Sequence, residues 1–173
     1  SGHEQILFDI PGAGSHTISP TSALPSITEA LVIDASTQAS YSGTPLVELD
    51  GSSIVVAASG LSVIANDSLI KGLAIVDWTN VGIIFNGDNN RLQSSYVGIH
   101  VDGMTAGANA SGGVWITSGN HNFIGTDGDG VDDASEGNLI GLVSTTAIYV
   151  SDYGSAPDGT VIAGNIIGLD ATG

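Results

Sequence analysis

An acidic loop at residues 125–136 carries the residues best suited to chemistry. Its spacing follows the calcium-loop pattern D-x-[DN]-x-[DN]-G-x5-E, in which alternate residues supply oxygen ligands. The candidate metal ligands, at positions 3, 5, 7, 9 and 12 of that pattern, are Asp127, Asp129, Val131 (through its carbonyl), Asp133 and Glu136. Gly125 stands at position 1, where the pattern has Asp, so one principal ligand is missing. Asp132 or a neighbouring segment is the candidate substitute.

Two interpretations of this loop stay open at the level of sequence. Calcium prefers six to eight oxygen ligands, and clustered carboxylates repel one another unless a cation lies between them. Such a weakened site would bind calcium with the millimolar affinity that is typical of extracellular modules. The alternative is an acidic, solvated loop that binds no metal.

Catalytic residues are poorly represented. Polysaccharide lyases need a basic residue, and the chain has only Lys71 and Arg91. A hydrolase needs two carboxyl groups on either side of the scissile bond. The only adjacent acidic pair, Asp132 and Asp133, already belongs to the calcium-like loop. We therefore predict that the chain is not an enzyme.

Histidine and aromatic residues are scattered along the chain. We interpret the histidines, which share no metal-ligand spacing, as surface or turn residues: His3, His16, His100 and His121. A sugar-stacking strip would require several aromatic residues on one face, the candidates being Trp78, Tyr96, Trp115, Tyr149 and Tyr153. Core packing is the preferred interpretation of these aromatics, because Trp115 and Tyr149 lie inside apolar runs.

The charge of the chain restricts its partners. There are 18 acidic and two basic residues, which give a formal net charge of −16. A protein this acidic repels nucleic acids, polyuronates and anionic lipids, and attracts cations. It contains no cysteine, which excludes disulfides and thiolate metal sites. No run reaches the roughly 18 apolar residues of a membrane-spanning helix, so we expect neither nucleic-acid binding nor membrane insertion.

Short apolar runs, punctuated by Gly, Asn, Asp and Ser, dominate the secondary-structure signal. No stretch has a sustained helical period, which predicts little or no α-helix. The predicted strands, rich in β-branched residues, are 31–33, 46–49, 54–56, 73–76, 82–85, 114–116, 147–150 and 161–163. Loops that leave this framework are predicted at 102–113 and 152–159.

Internal repeats indicate how the strands are arranged. GNLIGL at 137–142 recurs as GNIIGL at 164–169, an offset of 27 residues, and SYVG at 95–98 matches NFIG at 122–125 at the same offset. A period of this size, without helices, predicts one turn of a β-solenoid. Asn at equivalent corners can form a hydrogen-bonded ladder from turn to turn, and Asn138 and Asn165 are the candidates.

Several segments then resemble a known family. FDIPGAG (8–14), HTISP (16–20), ALPSIT (23–28), VID (32–34) and PLVELDG (45–51) follow one another in order, and NFIGTDGDG (122–130) and GNIIGLDATG (164–173) come later. Together they resemble the right-handed parallel β-helix repeat proteins within large secreted bacterial proteins, many of which carry a CSLREA segment. The resemblance implies a pectate-lyase-like solenoid and an extracellular location. It implies no established activity.

The sequence therefore predicts an all-β, right-handed parallel β-helix that forms a single domain over residues 1–173. The predicted function is an extracellular, cell-surface structural or adhesive module, with calcium as its candidate cofactor. End-to-end self-assembly into filaments is one expectation, and a piece of a longer solenoid is the other. Binding or degradation of carbohydrate is the alternative function.

Overall fold

The chain folds almost entirely into short strands. The structure, a computed structural model, describes residues 4–141, 145–151 and 157–173. The strands in these ranges are β1 (Glu4–Leu7), β2 (His16–Ile18), β3 (Leu31–Asp34), β4 (Val47–Asp50), β5 (Leu61–Val63), β6 (Leu69–Lys71), β7 (Leu73–Val76), β8 (Val81–Phe85), β9 (Arg91–Gln93), β10 (Tyr96–Val97), β11 (Gly112–Ile116), β12 (Phe123–Gly125), β13 (Leu139–Ile140), β14 (Ile148–Val150), β15 (Val161–Ala163) and β16 (Ile166–Ile167). The only helical turns there are 3₁₀, at Ala35–Thr37 and Asp133–Ser135. The predicted all-β class without α-helix is confirmed.

The strands form three parallel sheets that the chain visits in turn. Sheet 1 has the order β1-β3-β6-β9-β12-β15, sheet 2 has β2-β4-β7-β10-β13-β16, and sheet 3 has β5-β8-β11-β14. Every strand-to-strand pairing in these sheets is parallel. A single parallel bridge, between Ile27 and Val63, extends sheet 3 by one position towards the first strands.

Columns of aliphatic side chains, one residue from each strand, form the core. In sheet 1 the paired residues are Ile6, Ile33, Ile70, Leu92, Ile124 and Ile162. In sheet 2 they are Ile18, Leu49, Ile75, Val97, Ile140 and Ile167. The inner members of both columns are buried. Side chains of neighbouring strands cover one another in these columns, which removes the apolar face of each strand from water.

Polar ladders tie successive turns together at the corners. Asn165 Oδ1 accepts hydrogen bonds from the backbone N–H of Asn138 (3.0 Å) and from its Nδ2 (2.9 Å), and Asn138 Oδ1 accepts from the N–H of Ser95 at 2.9 Å. The predicted Asn138–Asn165 ladder is therefore confirmed, and next to it Leu139 pairs with Ile166 across β13 and β16. A second ladder, which the sequence analysis missed, joins Ser68, Asn90 and Asn122.

The predicted uniform period is wrong for one of the two repeats. The SYVG segment contributes β10 to sheet 2, whereas the NFIG segment contributes β12 to sheet 1, so the two are not equivalent. Ladder partners lie 22, 32, 27 and 43 residues apart for Ser68–Asn90, Asn90–Asn122, Asn138–Asn165 and Ser95–Asn138, respectively. Turns of the chain thus differ in length, because the connections between strands differ.

Some other predictions differ from the structure, and some concern residues that the structure does not describe. The predicted strand 54–56 is irregular, with Val55 95% exposed, so that prediction is wrong. The predicted loop 102–113 ends earlier, because Gly112 begins β11. Of the predicted features, His3, Leu142, Tyr153 and residues 152–156 of the second loop lie outside the described residues.

Candidate functional site

The acidic loop connects β12 of sheet 1 to β13 of sheet 2. Positive φ angles at Gly128 (+74°) and Gly130 (+86°) turn the chain outward, and Asp132 adopts a left-handed conformation just before the 3₁₀ turn Asp133–Ser135. The loop then returns to the corner at Asn138. Sequence and fold agree here, since glycine adopts such angles at little cost and Asp is among the residues that tolerate them best.

Three carboxylates of this loop lie close together. Asp127, Asp133 and Glu136 each offer an oxygen atom within 4.8 Å of the other two. Glu136 is buried, and the other two are half-buried. We call these three residues the acidic triad. They are three of the five ligands that the sequence predicts.

The remaining predicted ligands occupy the tip of the loop. Asp129 is not a member of the acidic triad, and its Oδ1 accepts a 2.7 Å hydrogen bond from the backbone N–H of Val131. The side chain of Val131 is largely exposed. The loop therefore gathers its carboxylates near its two ends, whereas the calcium-loop pattern distributes ligands along its whole length.

Backbone N–H groups and one hydroxyl group of the loop donate hydrogen bonds to carboxylates of the triad. Glu136 Oε2 accepts from the N–H of Asp127 at 3.1 Å. The two carboxylate oxygens of Asp133 accept from the Thr126 hydroxyl at 3.0 Å and from the N–H of Gly130 at 3.2 Å. The carboxylates of Glu136 and Asp133 are thereby held in place, and both keep acceptor capacity because an ionised carboxyl group offers about four acceptor sites.

One cation already contacts the triad. Arg91 Nε lies 3.2 Å from Asp127 Oδ2, and its guanidinium carbon lies 5.6 Å from the centre of the Phe123 ring. Three carboxylates face one guanidinium, so the site keeps a net negative charge. All of its side-chain donors are oxygen atoms, which are the ligands that calcium and magnesium prefer. The residues therefore fit a hard divalent cation.

A shallow groove of about 420 Å³ lies on the outer face of sheet 1, beside the triad. Arg91 and Phe123 form part of it, and Asp67 and Asn89 form the rim. The left-handed backbone at Asp67 and Asn89 places both side chains at a corner, where Asn89 Nδ2 donates to Asp67 Oδ1 at 3.0 Å. The groove is wide and open, unlike the deep clefts that enclose small substrates.

Aromatic residues do not gather into one strip among the described residues. Trp78 is buried and donates from Nε1 to the carbonyl of Leu49 at 3.2 Å. Trp115 and Tyr149 are paired across β11 and β14 of sheet 3, with ring centroids 5.4 Å apart. Tyr96 lies on sheet 2. The preference for packing over sugar stacking agrees with the interior position of Trp78.

A second charged group was not predicted from sequence. His100 contacts Glu48 and Asp77, which lie in other turns of the chain. His100 and Glu48 are 52 residues apart, and no spacing rule connects them. His100 is part-exposed and precedes the turn at 101–102, as a surface or turn residue would, but its ion pairs were not predicted. His16 and His121 form no ion pair in the described part of the chain.

Comparison with known proteins adds no assignment. No family model, curated protein or solved structure matches the chain. Among the described residues, none of the helical segments has the length and apolar character that a membrane crossing requires. Function is therefore inferred from the residues and their geometry.

Proposed function

We propose that this chain is an extracellular structural module, a right-handed parallel β-helix that assembles end to end and is stabilised by calcium. The proposal rests on the two unbroken aliphatic columns, which each have a half-exposed residue at both ends. The first column ends in Ile6 (46% exposed) and Ile162 (43%), and the second in Ile18 (39%) and Ile167 (46%). A further turn, of a longer chain or of a second copy, would extend each column and remove its end residues from water.

A second copy offers matching surfaces. In sheet 1 the edge strands are β1 at one end and β15 at the other, and in sheet 2 they are β2 and β16. Edge strands present unpaired backbone N–H and C=O groups that can pair with another strand. A head-to-tail contact would extend both columns, with Ile162 against Ile6 of the next copy. Such a contact is heterologous, so it builds a filament rather than a closed dimer.

The proposed role needs no catalysis. The described polar networks run from turn to turn and satisfy corner backbone groups, as in the ladder of Ser95, Asn138 and Asn165. The resemblance of the opening segments to repeats of large secreted bacterial proteins supports the extracellular location. Extracellular fluid also supplies calcium at the concentrations at which weak acidic sites are filled.

Calcium would bind at the acidic triad. Asp127, Asp133 and Glu136 supply the carboxylates, and the ion would neutralise their mutual repulsion. Because the loop joins sheet 1 to sheet 2, a bound ion would brace the corner at Asn138. The carbonyl of Val131 lies in the same loop and stays a candidate for completing the coordination, whereas Asp129 lies outside the triad.

Sedimentation velocity and negative-stain electron microscopy of the purified chain in calcium test the assembly. We expect filaments that lengthen with protein concentration. An Ile162→Lys variant, which places a charge on the end column, should stay short. The matched control is Val55→Lys, because Val55 is a 95% exposed aliphatic residue that belongs to neither column. A monomeric unaltered chain at high concentration in calcium would overturn the proposal.

The register of the contact is testable because the chain has no cysteine. Gln5, Val32, Leu69, Arg91, Phe123 and Val161 form one row across sheet 1. A Gln5→Cys, Val161→Cys variant should therefore form disulfide-linked oligomers under mild oxidation. Cysteine at Val55 and Val161 should not. Equal cross-linking of both variants would indicate nonspecific association.

A further inference from the structure

Residues 98–107, here called the excursion, fold back over the outer face of sheet 2. They follow β10 and form an antiparallel bridge between Ile99 and Ala106. The N–H of His100 donates to the carbonyl of Thr105 at 3.0 Å, and the N–H of Gly107 donates to that of Gly98 at 3.0 Å. This closes a small hairpin outside the three sheets.

The excursion covers residues that would otherwise face solvent. Glu48 and Ala74 are paired across β4 and β7, next to the column residues Leu49 and Ile75. Successive side chains of a strand point to opposite faces, so Glu48 and Ala74 point away from the core. They are nevertheless only 6% and 0% exposed. The excursion therefore buries a carboxylate, which is costly unless that carboxylate is paired.

His100 supplies the pairing. Its Nδ1 lies 2.9 Å from Glu48 Oε2, and its Nε2 lies 3.4 Å from Asp77 Oδ2. The backbone N–H of Val101 also donates to Glu48 Oε2, at 3.3 Å. Only the imidazolium form carries a proton on both ring nitrogens and can donate to both carboxylates at once.

The titratable groups around His100 are acidic. Glu48 and Asp50 belong to β4, Asp77 follows β7, and Asp102 lies in the excursion itself. Burial lowers the pKa of His100, but the hydrogen bond and charge of Glu48, with Asp77 and Asp102, outweigh it and raise the pKa above its ordinary value. For Asp77, burial raises the pKa, which the charge of His100 opposes and those of Asp50 and Glu48 reinforce.

We propose that His100 is a pH-sensitive latch, which holds the excursion against sheet 2 when protonated and releases it when neutral. Neutral His100 keeps one ring N–H, so it can donate to Glu48 or to Asp77 but not to both, and it loses the charge attraction to both carboxylates. A group whose pKa is raised in the closed form stabilises that form below its ordinary value, about 6.5 for His. This stabilisation is lost as the pH rises through the higher value, so alkaline conditions open the latch.

The latch also reaches the last turn of the chain. The N–H of Ala171 donates to the carbonyl of Gly103 at 2.8 Å. Release of the excursion would remove this contact. The amides of Asp77, Val101 and Ala171, whose hydrogen bonds join the excursion to the rest of the chain, therefore report the opening.

Hydrogen exchange followed by NMR between pH 5.5 and 9 tests the latch, with rates corrected for the intrinsic effect of pH. We expect protection of the three reporter amides to fall as pH rises, with the same midpoint as the imidazole titration of His100. The opening constant should change about tenfold for each unit by which the pKa of the closed form exceeds that of the open form. A His100 midpoint at or below about 6.5 would overturn the proposal.

A His100→Gln variant separates the latch from general effects of pH. Glutamine can still donate one hydrogen bond to Glu48 but cannot titrate, so protection should no longer depend on pH. The matched control is His121→Asn, because the left-handed backbone of His121 is one that Asn tolerates. The control should keep the wild-type response. If His100→Gln does not fold, different midpoints for exchange and imidazole titration in the unaltered chain would refute the latch.

Discussion

Gly125 accounts for the departure of the acidic loop from the calcium-loop pattern. It ends β12 with φ of +94°, and a Cβ atom there would lie 1.9 Å from the carbonyl oxygen of Ala163 in the neighbouring turn. Aspartate cannot occupy such a position without a shift of the backbone. The close packing of turns thus removes the first ligand of the pattern, and the remaining carboxylates gather as the acidic triad.

The triad predicts a specific response to calcium. Asp133→Asn and Glu136→Gln remove one charge each and keep the size of the side chain. Calcium should raise the melting temperature of the unaltered chain, because a ligand bound only by the folded state stabilises it by about 2.7 kcal/mol at 100 times its Kd. The two variants should respond weakly or not at all. Scanning fluorimetry in calcium and in chelator measures the difference.

Asp129→Asn is the matched control for this prediction. It removes a charge from the same loop, but Asp129 lies outside the triad. We expect this variant to keep most of the calcium response. A full calcium response in the triad variants, or no response in the unaltered chain, would contradict the calcium site and favour a solvated acidic loop that binds no metal.

At the scale of the element, the predicted runs coincide with seven of the sixteen described strands, and the sheet to which a strand belongs could not be predicted reliably. β7, β8 and β11 coincide with runs of β-branched residues between turn residues. Register depends on the length of each connection, and ladder partners lie between 22 and 43 residues apart. A corner followed by a strand has the same local sequence pattern in every sheet. That is why SYVG and NFIG look equivalent although they belong to different sheets.

The two candidate charged groups also differ in how far the sequence predicts them. The triad comes from one continuous loop, so residue spacing predicts it. The group of His100, Glu48 and Asp77 comes from three turns, and only the parallel stacking of β4, β7 and β10 brings them together. Sequence spacing within one segment carries no information on such contacts.

The aliphatic columns predict a position-dependent loss of stability. Ile124 is fully buried inside the sheet 1 column, whereas Ile162 ends it at 43% exposure. Ile124→Ala should cost about 2–5 kcal/mol, because it leaves a cavity between stacked neighbours. Ile162→Ala should cost much less. Urea unfolding at protein concentrations too low for assembly compares them, and equal losses would contradict the stacked arrangement.

At the scale of the whole molecule, the chain is strongly charged. The formal charge of −16 lies on a chain of 173 residues whose core is almost purely aliphatic. Net charge of one sign destabilises a compact state through self-repulsion. It also opposes end-to-end contact between copies, so the proposed filament depends on cations to screen or neutralise the acidic surface.

This charge predicts that salt stabilises the fold even without calcium. Raising NaCl from 0.01 to 0.1 M shortens the screening length from about 30 to about 10 Å. We expect the melting temperature in chelator to rise with NaCl, by about 2–4 °C for each kcal/mol of repulsion relieved. An Asp9→Asn, Glu29→Gln variant, which neutralises two exposed acids, should respond less. A melting temperature that is flat or falls with NaCl would show that the acidic residues are already neutralised by local partners.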